Sequence, residues 1–160
     1  VDKEHNCVLP RTMTDRAIDV GRSLDPDRLI VHYMQPHEPH IGEEHGLGQS
    51  MFVPLRKGEI TRQEAWNSYL ENLRLVLDEL EVLLTNVDAE KVVITADHGE
   101  AFGEFGFYAH QIGCPLPAVR NVPWIETTAT DTGSYEPEIE PDITNQSESL
   151  EQHLSDLGYL

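Results

Sequence analysis

Val92-Val93-Ile94-Thr95-Ala96-Asp97-His98-Gly99-Glu100 is a run of β-branched apolar residues that breaks off in a polar turn. Such a run has the pattern of a strand buried on both faces of a parallel sheet. Leu29-Ile30-Val31-His32-Tyr33 has the same character, and between the two lies the clearest helix signal in the chain. Thr61-Arg62-Gln63-Glu64 is a capping-box sequence, after which Leu70, Leu73, Leu77, Leu80 and Leu84 recur at spacings of three and four as an apolar core stripe. Strand, helix and strand together predict a right-handed βαβ crossover. The expected fold class is therefore α/β, a largely parallel sheet flanked by helices.

The rest of the chain is read around that unit. Thr12–Val20 is expected to form a short helix ahead of the first strand, and Val122–Thr127 a third strand that begins late or lies at an edge because of Pro123. Residues 130–146 are rich in Pro, Asp, Glu, Ser and Thr and read as an acidic surface linker. Ser147–Leu160 places Leu150, Leu154 and Leu157 on one helical face and reads as a docking helix. The expected organisation is a main domain over 1–129, the linker over 130–146 and the helix over 147–160. The chain begins at Val1 rather than Met, which suggests a fragment or a processed product, so an exposed sheet edge and some uncovered apolar surface are expected.

Composition narrows the partners. Asp and Glu number 29 against 11 Lys and Arg, a formal net charge of -18. A field of that sign repels polyanions, which argues against nucleic acid and against an anionic membrane surface. The carboxylates run from Asp2 to Asp156 without forming one block, and lysine occurs only at Lys3, Lys57 and Lys91. That is the composition of a salt-adapted, halophilic surface, where screening relieves self-repulsion. No apolar run is long enough for a membrane segment. Cys7 and Cys114 are too few for a disulfide framework and match no zinc spacing, so both are expected as free thiols.

Chemistry concentrates where strands end, since open α/β sheets bind ligands outside the carboxyl ends of their strands. Asp97 and His98 stand at such an end, and a turn at Gly99 can bring a carboxylate oxygen and an imidazole nitrogen onto one ion. Oxygen with nitrogen suits zinc or manganese better than a purely oxygen-loving ion. The bland alternative is a turn in which Asp97 caps backbone N–H groups and His98 is solvated. Gln35-Pro36-His37-Glu38-Pro39-His40 follows the first apolar run, its prolines stiffening a loop that offers imidazoles for anion binding or proton transfer. The alternative there is a solvated surface loop. His110 follows His98 by twelve positions, across a loop bearing Gly99, Gly103 and Gly106 that can fold it back over the same rim. His32 reads as a hydrogen-bonded core histidine, Glu100 and Glu104 as surface carboxylates with a general base the alternative, and Trp66 and Tyr69 as packing residues or the wall of a groove. His5, His45 and His153 carry no role.

In order, these elements resemble the carboxyl-terminal part of the sulfatase branch of the alkaline phosphatase superfamily, and most of all its haloarchaeal sulfatase-like members. The resemblance runs over about residues 8 to 160, through Gln35-Pro36-His37-Glu38-Pro39, a long helix with Tyr69 and Asn72, Ile94-Thr95-Ala96-Asp97-His98-Gly99-Glu100, Gly103-Glu104, His110, Val122-Pro123 and Leu157-Gly158-Tyr159. It implies an alkaline phosphatase-like fold, incomplete here, and a metal-dependent hydrolase of sulfuric or phosphoric esters. Asp97 and His98 would then be metal ligands, with manganese or zinc favoured and calcium possible. His37 and His110 would be catalytic residues touching the sulfuryl or phosphoryl oxygens or the leaving group. Members of that branch also carry two metal-binding aspartates and a nucleophile near the amino terminus, and neither is identifiable here. Cys7-Val8-Leu9-Pro10-Arg11 does not match the formylglycine signature, its proline falling one position late and its serine missing. The expected product is the half of an active site that lacks the nucleophile. A phosphoglycerol- or phosphoethanolamine-type transferase, and a non-catalytic truncated relative, are the alternatives.

Overall fold

The computed structural model describes residues 2, 5–42, 44, 46–48 and 50–139. The docking helix expected over Ser147–Leu160 lies outside them, as does most of the expected linker. The element order is α1 (Pro10–Leu24), α2 (Phe52–Lys57), α3 (Arg62–Leu84), β1 (Ala89–Thr95), β2 (Ala101–Phe102), β3 (Tyr108–Ala109), α4 (Pro117–Arg120) and β4 (Trp124–Ala129), with one 3-10 turn at Glu104–Gly106.

The parallel sheet is not formed. The described residues contain two antiparallel two-stranded sheets, β1 with β4 and β2 with β3. Leu29–Tyr33 has no regular secondary structure and joins neither sheet. Val31 and Tyr33 lean on a cluster made by Ala17, Ile18 and Leu83, and Tyr33 shares a 2.9 Å hydrogen bond with Thr14. The other side chains of this run face outward, Ile30 being 92% exposed. An apolar run states that a segment can be buried, and it carries nothing about which backbone it pairs with. With no ladder between Leu29–Tyr33 and β1 among the described residues, helix α3 is no crossover.

Strand β1 takes its partner from the other direction. The chain reverses over residues 96–123 and returns as β4, with Thr95 opposite Trp124 and Val92 opposite Thr127. Pro123 lacks the N–H a ladder needs, and β4 begins one residue after it, so the strand starts late as expected. Trp124 (66%) and Ile125 (53%) are both exposed, one on each side of the strand.

Helix α3 opens with the expected capping box, Thr61 and Glu64 satisfying each other's backbone N–H groups. Its buried face, however, is rotated from the leucine stripe to Ala65, Ser68, Asn72, Val76 and Leu83, while Leu77 is exposed. The small and polar members of that face receive the loop from Pro36 to Ile41, whose backbone needs hydrogen-bond partners that leucine cannot give. Helix α1 is longer than expected. Pro10 starts it at a position where its missing N–H costs nothing, and Asp25 ends it in the left-handed region at φ 44°.

Apolar burial is divided among three small clusters, centred on Ile18, on Met51 with Phe102, and on Val119 with Ala101 and Cys114. Both cysteines are free. The start of the expected linker is fastened down: Arg22 grips both oxygens of Asp131 (2.8 and 2.9 Å) and the Tyr135 carbonyl (2.9 Å). That guanidinium contact holds the Asp131 carboxyl at about 2, well below its ordinary value. No helix among the described residues is long and apolar enough to cross a membrane.

Candidate functional site

Three segments meet at one place, the second and third consecutive in sequence and the first remote from both. The first is the loop Pro36–Ile41. Asn72, fully buried on α3, donates from Nδ2 toward the carbonyls of Pro36 (3.3 Å), His37 (3.1 Å) and Pro39 (3.2 Å), and its Oδ1 accepts the Ile41 N–H (3.1 Å). One amide thus satisfies most of a loop that no regular structure could serve. His40, also buried, shares a 2.7 Å bond with Ser68 and exchanges backbone bonds with Gly48. Burial lowers the His40 pKa against the opposing pull of the Glu38 carboxylate, so the ring is a neutral structural member. Glu38 accepts the backbone N–H groups of Met51 and Phe52 at the start of α2. Between these anchors His37 is left facing the rim, its Nδ1 against the Glu38 carbonyl at 2.7 Å.

The second segment is the turn after β1. Gly99 donates its N–H to the Val119 carbonyl (2.8 Å), and a Cβ there would stand 2.1 Å from the Ala118 carbonyl oxygen. Glycine is required because α4 lies directly on this turn. Asp97 accepts the His98 N–H (2.9 Å), and its Oδ2 lies 3.6 Å from His98 Nε2. Partial burial pushes the Asp97 carboxyl up, but the His98 charge, backbone N–H groups and the charge of His32 outweigh it and hold the group below the usual carboxylate range. His32 was expected in the core; it is exposed and contributes to the field at Asp97.

The third segment is the β2–β3 hairpin. Ala101 pairs with Ala109, so the next position outward sets Glu100 opposite His110, and the two side chains meet at 2.8 Å. The His110 ring stacks on that of His98 at 4.1 Å between centroids and lies 5.2 Å from that of His37. His37, Asp97, His98 and His110 are therefore brought to one rim as expected, although the sheet expected to carry them is absent. Trp66 and Tyr69 pack with Phe102 beneath it, and Tyr69 is raised by burial and by the Glu100 charge.

Glu100 is the member that sequence reading missed. Its side chain is 6% exposed, far from the solvated carboxylate expected in so acidic a chain. The signal was present in the register: apolar pairs on both sides of the Gly103 to Gly106 turn place residue 100 across from residue 110.

Asp97, its side chain 64% exposed and its Oδ1 capping the His98 N–H as a simple turn would, has the spacing from His98 that two ligands of one ion require. Two ligands of a tetrahedral ion with bonds of about 2.1 Å stand roughly 3.4 Å apart, close to the separation of Oδ2 and Nε2. His98 Nδ1 faces the Gly99 carbonyl at 3.1 Å, which fixes the tautomer that leaves Nε2 free to ligate. No protein-family model, curated protein or solved structure matches the chain.

Proposed function

We propose that this chain forms the ion-binding and oxyanion-facing part of a metal-dependent hydrolase of sulfuric or phosphoric esters. The convergence of His37 on His98 and His110, with the His110 ring 4.1 Å from that of His98 and 5.2 Å from that of His37, is the observation that supports it. In this reading Asp97 and His98 hold a divalent ion, manganese or zinc by the mixture of oxygen and nitrogen donors, with calcium a poorer match. Such an ion, when bound, acts as a Lewis acid toward an ester oxygen. His37 and His110 face the same rim and orient the remaining oxygens, hydrogen-bonding charge as it develops. The nucleophile lies outside the residues this chain supplies, so the chain's own part is binding and positioning.

The reading is tested by calorimetric titration of phosphate and of sulfate into the protein, with and without saturating manganese. Manganese is expected to be required for tight binding of at least one of the two anions. His37→Ala and His110→Ala are each expected to weaken it at least tenfold, about 1.4 kcal/mol. Equal affinity with and without manganese, or anion binding untouched by both substitutions, contradicts the proposal.

A further inference from the structure

We infer that Glu100 makes a second cation site with His37 and His110, suited to a borderline divalent ion such as zinc. It rests on the ester-hydrolase reading only for the chemistry the ion would serve: with this ion bound, His37 and His110 act on the ester oxygens through it, and they donate to those oxygens directly only as imidazolium cations in its absence.

One ligand atom from each of His37, Glu100 and His110 lies within 4.8 Å of the others. Two imidazoles and one carboxylate are a donor set that borderline ions accept while keeping positions open for water or substrate oxygen. Drawing the three atoms onto one ion requires them to close by about an ångström.

The buried carboxylate is the second observation. Oε1 of Glu100 meets His110 Nδ1, but Oε2 is buried and has no hydrogen-bond partner among the described residues. Burying an unpaired carboxylate oxygen is costly, and natural sites that do so hold a cation or a proton against it. A simple Glu100–His110 ion pair accounts for Oε1 and leaves Oε2 unexplained; a cation shared with His37 gives Oε2 its partner. His37 is already set for the task. Its Nδ1 lies against the Glu38 carbonyl, so the N–H belongs there and Nε2 carries the free lone pair.

Zinc titration of the whole chain by calorimetry separates the two sites. It is run in roughly 1 M potassium chloride, where the Debye length near 3 Å suppresses binding to scattered surface carboxylates. Wild type is expected to take up two equivalents. Glu100→Gln, which keeps shape and removes charge, is expected to lose one of them, its affinity falling at least a hundredfold, while Asp97→Ala loses the other. Retention of both equivalents in Glu100→Gln overturns the second site. A single equivalent in wild type that survives Glu100→Gln and disappears in Asp97→Ala also overturns it, and leaves the ester-hydrolase reading standing. A single equivalent lost in Glu100→Gln and kept in Asp97→Ala supports the site and removes the ion assigned to Asp97 and His98. Thermal unfolding without zinc checks that each variant is folded, and His110→Gln, with the same expected loss, replaces Glu100→Gln if that variant is not.

Discussion

Replacing Asn72 with leucine is expected to cost on the order of 4 kcal/mol of unfolding free energy and to free the loop that carries His37. The side chains are close in volume, so the loss comes from polarity. Asn72 is fully buried, its Nδ2 serves three loop carbonyls, and its Oδ1 accepts the Ile41 N–H. Leucine leaves four backbone groups to find water or stay unpaired, at roughly 1–3 kcal/mol for each that stays buried. Asn72→Asp separates the two halves of this role. The carboxylate still accepts from Ile41 but repels the carbonyls of Pro36, His37 and Pro39, so it is expected to be no better than leucine. Urea unfolding with an unchanged slope reads both; a loss below about 1 kcal/mol for leucine shows that the loop holds itself.

Gly99→Val is expected to destabilise by roughly 3 kcal/mol, as overpacking against a backbone that cannot move aside. The 2.1 Å approach of a Cβ to the Ala118 oxygen concerns main chain, and the Gly99 N–H bond to Val119 lies in the same contact. Relief requires α4 to lift, which shifts His98 and Glu100 on either side of the glycine. Zinc affinity therefore falls together with stability. A valine variant whose urea midpoint and zinc affinity both match wild type contradicts the close packing of α4 on this turn.

Local signals proved legible where they are satisfied locally. The capping box at Thr61 and Glu64 forms because both partners lie within one turn, and β4 waits for Pro123 to pass because a missing N–H is a property of the residue itself. Pairing direction is not local. The runs at Leu29 and Val92 are alike in composition, yet one finds an antiparallel partner in β4 and the other finds none among the described residues. The buried face of α3 was misread for a related reason. Ser68 and Asn72 count as polar in any periodicity, and only the loop lying across them shows that their hydrogen bonds are the reason for burial. At the rim, histidines at strand ends could be picked out by type. Glu100 could not, because in a chain with 29 acidic residues a carboxylate carries no distinction until the hairpin register sets it across from His110.

The turn after β1, the loop on Asn72 and the β2–β3 hairpin are proposed to hold cations between them. Anomalous diffraction at the zinc edge, from crystals of this chain grown with zinc in high salt, tests it most directly. Peaks are expected at bonding distance from Asp97 and His98 and, separately, from His37, Glu100 and His110. Zinc found only at other surface carboxylates, with both clusters bare, would contradict it.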